Sequence, residues 1–195
     1  AVEEAARRLH AAQTSNDAAR RELERLANSD GLTGLINRRY FLLRAAAELR
    51  RAERYERPTA VALGDLDHFK RLNDTYGRGT GDIVLRTVAD LLGEGMRQSD
   101  LVCRYGGEEF AFLFPECTVD QAHVLLERFR HSLAGHDIPL PDGAFIRVTI
   151  SIGVADASHG PIETALHHAD FALYEAKRLG RNRVSVAERE RRRAT

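Results

Sequence analysis

The chain has 195 residues, 43% of them apolar and 30% charged, and its 29 basic residues are balanced by 29 acidic ones. That length fits one domain plus an appendage, and zero net charge argues against a general nucleic-acid coat protein. No apolar run approaches the ~18 residues of a membrane span, and no signal peptide is recognisable. Cys103 and Cys117 lack CxxC spacing and a neighbouring His cluster, so they read as reduced, buried thiols of a cytoplasmic protein. A first residue Ala1 rather than Met reads as a fragment of something longer.

Residues 1–28 contain no Pro, Gly or aromatic residue. Val2, Leu9, Asn16 and Leu23 fall at heptad position a, and Ala5, Ala12, Ala19 and Leu26 at d. A single Asn at a favours a parallel, in-register two-stranded coil, and the alanine-rich seam makes it marginal. The alternative is a single amphipathic helix packed on its own domain. Asn28-Ser29-Asp30-Gly31 breaks this helix. A new helix is expected from near Asn37 to about Arg57, ended by Pro58. Thr59 to Asp65 reads as a strand buried on both faces, and Asp82 to Met96 as a helix striped by Val84, Leu85, Val88, Leu91 and Leu92. Leu101–Cys103 and Ala111–Phe114 flank Gly106-Gly107 as a β-hairpin, the glycines supplying positive φ for a tight turn. Thr118 caps a helix through Leu133. Phe145 to Ala155 is a strand, Ile162 to Leu179 a helix stopped by Gly180, and Arg183 to Val186 a short strand. The basic residues around Arg189 and Arg193 form a solvated tail. Helices alternating with single strands and one hairpin predict an α/β sandwich with a mixed central sheet. The expected domains are 1–28, 29–187 and 188–195.

The hairpin run Arg104-Tyr105-Gly106-Gly107-Glu108-Glu109-Phe110 places two acidic residues beside a turn without side chains. Adjacent like charges repel, so a bound cation is one reason for them, and bare backbone admits a bulky anion. On the hairpin alone, a solvated acidic tip is equally admissible. Asp65 ends a buried strand, where a sheet holds a Mg²⁺ ligand rigid while leaving the ion open to substrate. Asp67, two residues on, shares its face if the strand continues that far. Lys70 offers a cation for phosphate, Asn73 a donor and an acceptor for a purine edge, and Asp82 an acceptor for guanine N1–H and the 2-amino group.

Asp30-Gly31-Leu32-Thr33-Gly34-Leu35-Ile36-Asn37-Arg38-Arg39, Asp65-Leu66-Asp67-His68-Phe69-Lys70 with Asn73-Asp74 and Gly81-Asp82, and the hairpin run resemble the GGDEF-domain family of diguanylate cyclases. Ser151-Ile152-Gly153-Val154-Ala155, Ala169-Asp170 through Ala172-Leu173-Tyr174, Ala176-Lys177 and Gly180-Arg181-Asn182 match its C-terminal motifs, and the match spans about residues 30–186. The resemblance implies a nucleotidyl-cyclase- and palm-like fold that condenses two GTP into cyclic di-GMP with release of two pyrophosphates. It implies Mg²⁺ or Mn²⁺, two per active site, on Asp65, the Leu66 carbonyl, Glu108 and Glu109. The catalytic carboxylates would be Asp65, Glu108 and Glu109. Asn73 and Asp82 would read guanine, with GTP preferred over ATP. Lys70, Lys177 and Arg181 would hold phosphates, and Gly106 and Gly107 would let the nucleotide lie against the backbone. Each domain would hold one nucleotide, so catalysis would need a homodimer, joined by the heptad helix and controlled by an upstream sensor or receiver domain. Arg97-Gln98-Ser99-Asp100 is similar to the family's RxxD motif, with Arg128 as a second arginine, and implies a cyclic di-GMP inhibitory site; a helix-end ion pair is the plainer reading. Arg78 stands where the family often has His and reads as solvated. The histidines show no metal spacing. A non-catalytic GTP or cyclic di-GMP sensing module is the competing function, although the hairpin glycines and both glutamates are retained.

Overall fold

The computed structural model describes residues 26–187 without a break, together with Glu4, Gln13, Asn16, Asp17, Arg20, Glu22 and Leu23, which are helical. The heptad positions Val2, Ala5, Leu9, Ala12 and Ala19, and the basic tail 188–195, lie outside the described residues. The coil and the outer domain boundaries are therefore not described. Leu23 and Leu26 are exposed in the single chain.

In chain order the elements are β1 (Ile36–Asn37), α1 (Arg38–Arg54), β2 (Thr59–Leu66), α2 (Phe69–Tyr76), α3 (Arg78–Gly95), β3 (Leu101–Arg104), β4 (Glu109–Pro115), α4 (Val119–Gly135), β5 (Ile138–Pro139), β6 (Phe145–Ile146), β7 (Ile150–Asp156), α5 (Ile162–Arg178) and β8 (Val184–Val186). The main sheet has six strands in the order β1-β3-β4-β2-β7-β8. The β1–β3 and β7–β8 pairs are parallel and the rest antiparallel, so the sheet is mixed, as expected. Period-2 alternation divides the core between its two faces. Ala60, Ala62, Phe110, Phe112 and Phe114 face α2, α3 and α4, where Phe69, Leu85, Leu92, Leu126 and Leu133 cover them. Val61, Leu63, Ala111 and Leu113 face α1 and α5, covered by Phe41, Leu49, Ile162, Leu166 and Leu173. The β2 strand lies between β4 and β7 and is buried almost throughout, which holds its C-terminal Asp65 rigid.

Two caps follow from residue type. The Asn37 side chain accepts the Tyr40 N–H at 3.0 Å, and Thr118 forms a capping box with Gln121. Gly153 brings α5 onto β7: a Cβ there would lie 2.1 Å from the Ala169 carbonyl oxygen and 2.2 Å from the Leu173 nitrogen. That close approach fixes where Lys177 and the loop after α5 stand.

The structure corrects several boundaries. Helix α1 stops at Arg54, a turn before Pro58, because Glu56 takes a left-handed φ of 51° and Arg57 N–H donates to Ala52 O. The expected strand Phe145–Ala155 is divided. Ile146 pairs with Ile138 in a separate two-stranded sheet, whereas Ile150 onward pairs with β2. Between them Thr149 serves Asp67, donating its Oγ1 and accepting the Asp67 N–H at its carbonyl. The glycine-rich run after Tyr76 is not a loop. Gly77 (φ 84°) makes the corner, and Arg78 to Gly81 form the first turn of α3, a helix expected only from Asp82. Glycine's poor helix propensity hid this turn, which tertiary packing imposes.

Candidate active site

The β2 register sets Asp65 opposite Glu109 of β4 and Ser151 of β7. The hairpin between β3 and β4 is closed by Tyr105 N–H and Gly106 N–H, both donating to Glu109 O at 2.7 and 3.2 Å. Gly106 and Gly107 do not take the positive φ expected of a tight turn. The loop spans residues 105–108 and needs no left-handed corner. A Cβ at Gly106 would stand 2.4 Å from Oε2 of the exposed Glu109 side chain, which would have to turn, whereas one at Gly107 would meet nothing within 4 Å.

The loop is clamped at its base. Arg104 donates Nε and Nη2 to Gly107 O at 3.1 and 2.8 Å, and Nη1 to Asp30 Oδ1 at 3.2 Å. Asp30 also accepts the Thr33 N–H and hydroxyl at 2.9 and 2.7 Å. Partial burial would raise the Asp30 pKa, but the hydrogen bonds from Thr33 and Arg104 outweigh it and hold it below the usual carboxylate value. Tyr105 packs edge-on to Phe41, with the Arg38 guanidinium 4.4 Å from its ring centroid. These contacts tie the hairpin to the segment that follows the N-terminal helix.

The carboxylates meet beyond this clamp. Glu108 O accepts the Leu66 N–H at 3.2 Å, which ties the two chain segments together. The Glu108 carboxyl is pushed above its ordinary value by burial and by the negative charges of Asp65 and Glu109, with Lys177 opposing. Lys177 Nζ lies 3.0 Å from Asp65 Oδ1. Among the described residues no group of three His, Cys, Asp or Glu side chains closes around a common metal position. A Mg²⁺ ion needs fewer, since it takes one or two carboxylates and completes its shell with phosphate and water. Crowded, mutually repelling carboxylates beside the Leu66 main chain fit such a cation.

Asp67 does not join them. It is 9% exposed, accepting from Ser151 Oγ at 2.7 Å, Thr149 Oγ1 at 2.6 Å and Asn182 N–H at 3.1 Å. It is a structural carboxylate.

On the other sheet face, α2 packs on α3 and brings Asn73 against Gly81, the residue before Asp82. The Asn73 Oδ1 is buried and has no hydrogen-bond partner, and a Cβ at Gly81 would lie 2.0 Å from it. Gly81 therefore leaves room for the amide, and an unpaired buried amide is the mark of a group awaiting a polar ligand. Asp82 is half-buried, while Lys70 and Arg78 are exposed. Arg181 follows α5 with φ 64°, between Gly180 (φ 115°) and Asn182 (φ 44°). Each left-handed non-glycine residue costs about 1–2 kcal/mol.

Arg97 and Arg128 line one cleft of about 460 Å³ with Gly95, Cys117 and Val124. Asp100 is turned back: its Oδ2 accepts the Arg97 backbone N–H at 2.9 Å. No ion pair joins the two side chains among the described residues, so the helix-end pair is not what their spacing makes.

Reasoning from the sequence missed Glu127 and Arg130, whose (i, i+3) spacing on α4 was the available signal. Arg130 is 8% exposed and donates to Glu127 Oε2 and, at 2.7 Å, to Asn182 Oδ1.

The architecture is thus a mixed α/β sheet, layered by helices, with an acidic hairpin at the end of its central strands. The family description "Diguanylate cyclase, GGDEF domain" matches residues 27–183, and the chain belongs to that family. It is 43% identical over 162 residues to response regulator PleD of Caulobacter vibrioides, covering 82% of this chain and 36% of PleD. It is 39% identical over 158 residues to diguanylate cyclase DosC of Escherichia coli, covering 80% of this chain and 34% of DosC. The chain therefore spans about a third of the length of such relatives. Among solved structures, the coiled coil and GGDEF domain of DgcB from Caulobacter crescentus, in complex with c-di-GMP, superposes with a TM-score of 0.83 at 34% identity, over 92% of this chain and 97% of that one. Within the described residues no helix is long and apolar enough to cross a membrane.

Proposed function

We propose that this domain condenses two GTP molecules into cyclic di-GMP, acting as a homodimer whose two half-sites face each other. Each 3′-hydroxyl attacks the α-phosphorus of the other nucleotide. Two phosphodiester bonds form, two α–β anhydride bonds break, and two pyrophosphates and two protons leave. The observation that carries this reading is the convergence of Asp65, Glu108 and Glu109, with Asp65 paired to Glu109 across the sheet and Glu108 O accepting the Leu66 N–H. Asp65, Glu108 and the Leu66 carbonyl would hold divalent metal, two ions per site, with Glu109 completing the acidic pair. When bound, Mg²⁺ or Mn²⁺ supplies charge neutralisation for the triphosphate and acidity to the attacking hydroxyl.

The chain's own groups do the rest. Glu108, at the hairpin beside Asp65, is the candidate carboxylate to assist deprotonation of the attacking hydroxyl. Lys70, Lys177 and Arg181 hold phosphates. Asn73, whose Oδ1 is unpaired, reads the guanine edge together with Asp82 and favours GTP over ATP. Gly106 and Gly107 keep the hairpin backbone open to the nucleotide. The heptad helix raises the effective concentration of the second half-site, and an upstream sensor would set its geometry. Arg97 and Arg128, lining one cleft, support a cyclic di-GMP inhibitory site, with Asp100 shaping the turn that presents Arg97.

The test is incubation with GTP and Mg²⁺ or Mn²⁺ while cyclic di-GMP and pyrophosphate are followed. GTP binding without product, even at high enzyme concentration, would assign the domain to nucleotide sensing instead. Deleting residues 1–28 should lower specific activity at low enzyme concentration, and Arg97→Ala should let turnover continue as product accumulates.

A further inference from the structure

We infer that Arg130 is a positioning residue for the phosphate-binding loop, acting through Asn182 on Arg181; this rests on the assignment of Arg181 to phosphate made above. Gly180, Arg181 and Asn182 are three consecutive residues at positive φ, two of them not glycine. Such a conformation persists only where its surroundings over-determine it, and it concentrates where a side chain must be aimed.

The surroundings are on both sides of the loop. Arg181 N–H donates to Ala176 O at 3.0 Å, closing the end of α5. Asn182 N–H donates to Asp67 Oδ2 at 3.1 Å, and Asn182 Oδ1 accepts from Arg130 Nη1 at 2.7 Å. The next strand is held by the same ion pair, since Val184 N–H donates to Glu127 Oε1 at 3.0 Å. Burial opposes ionisation of Glu127, yet the hydrogen bonds from Arg130 and Val184 hold its pKa below the ordinary glutamate value.

A buried ion pair adds little stability over well-packed apolar residues of the same volume, so stability alone does not account for Arg130. What an apolar residue could not supply is a charged donor aimed at Asn182. The Arg181 guanidinium, by contrast, is exposed and has no hydrogen bond or ion pair among the described residues. The N–H groups of Arg181 and Asn182 are therefore tied and the Arg181 cation free. Asp67 connects the clamp to the catalytic strand, standing two residues beyond Asp65.

The test measures Mg²⁺-dependent binding of the α,β-methylene analogue of GTP, whose α–β bridge cannot be cleaved, to the full chain by calorimetry. Arg130→Met keeps the volume and removes the donor. Asn182→Gly accepts the left-handed φ and removes the acceptor, so it should fold even if Arg130→Met does not. Each should weaken binding by about tenfold, the scale of losing one hydrogen bond to a charged group. On an Arg181→Ala background, Asn182→Gly and Arg130→Met should weaken it no further. The inference is overturned if either change weakens binding equally on both backgrounds, if folded Asn182→Gly binds as tightly as wild type, or if Arg181→Ala itself binds normally. The expected pattern in a domain that makes no cyclic di-GMP would refute the cyclase reading and sustain the positioning role.

Discussion

Asp65 and Asp67 stand two residues apart and do opposite work. Asp67 is buried, and its carboxylate accepts three hydrogen bonds, from Thr149, Ser151 and Asn182. Asp65 has Lys177 at 3.0 Å and adds its charge to a cluster that already strains Glu108. A carboxylate whose needs are met inside the protein holds the fold together. One left in a like-charged group fits the cation-binding role proposed for Asp65. The chemistry of the side chain is identical in both cases, and only the count of partners separates them.

The largest expected effect tests the crowded side. Glu108→Gln should cut cyclic di-GMP formation by more than about 100-fold, as loss of a metal-binding and proton-accepting group does. Its melting temperature should hold or rise, because a repulsion is removed. A Glu108→Gln protein that melts well below wild type would place Glu108 with Asp67 on the structural side. On that side, Asp67→Ala strands three donors and should cost about 3 kcal/mol in urea unfolding. A loss confined to activity, with stability unchanged, would collapse the distinction.

Gly81→Ala gives a smaller effect. Its Cβ would fall 2.0 Å from Asn73 Oδ1, so the amide must move. GTP affinity should drop about tenfold through one misplaced hydrogen-bonding group, with ATP binding barely altered. Equal losses for both nucleotides would remove Asn73 from base recognition.

The smallest effect is on pH dependence. The folded-state pKa of Glu108 lies above its unfolded value, so the folded protein holds that proton more tightly. Its contribution is favourable below the ordinary glutamate pKa and fades as pH rises through the raised value. Glu108→Gln should flatten wild-type stability across that window. Asp30 runs the other way: its lowered pKa contributes stability above the ordinary aspartate value, lost as pH falls through the lowered one. Denaturation midpoints of wild type and Glu108→Gln at several pH values read both slopes.

Much of this was legible in the linear order of residues. Continuous apolar runs located β2 and β4, Asn37 and Thr118 announced helix starts, and Gly180 announced a helix end. The acidic hairpin and Asp65 were visible as motifs because metal-binding carboxylates sit at strand ends and turns. Three things were hidden. The first turn of α3 was masked by its glycines, of which Gly81 makes room for Asn73. The break between β6 and β7 was masked by an apolar run that two different sheets divide. The Arg130–Asn182–Asp67 chain joins residues 52 and 115 positions apart, which no local pattern reports.

Sequence alone thus determined most of the longer elements, the mixed α/β class and the family, because apolar patterning, capping and motif spacing are local properties of the chain. Only the tertiary structure decided which carboxylates are satisfied and which are crowded, which side chains stand close to Gly106 and Gly81, and what holds the loop that carries Arg181. Those answers depend on distances between segments far apart in the chain, and packing sets such distances.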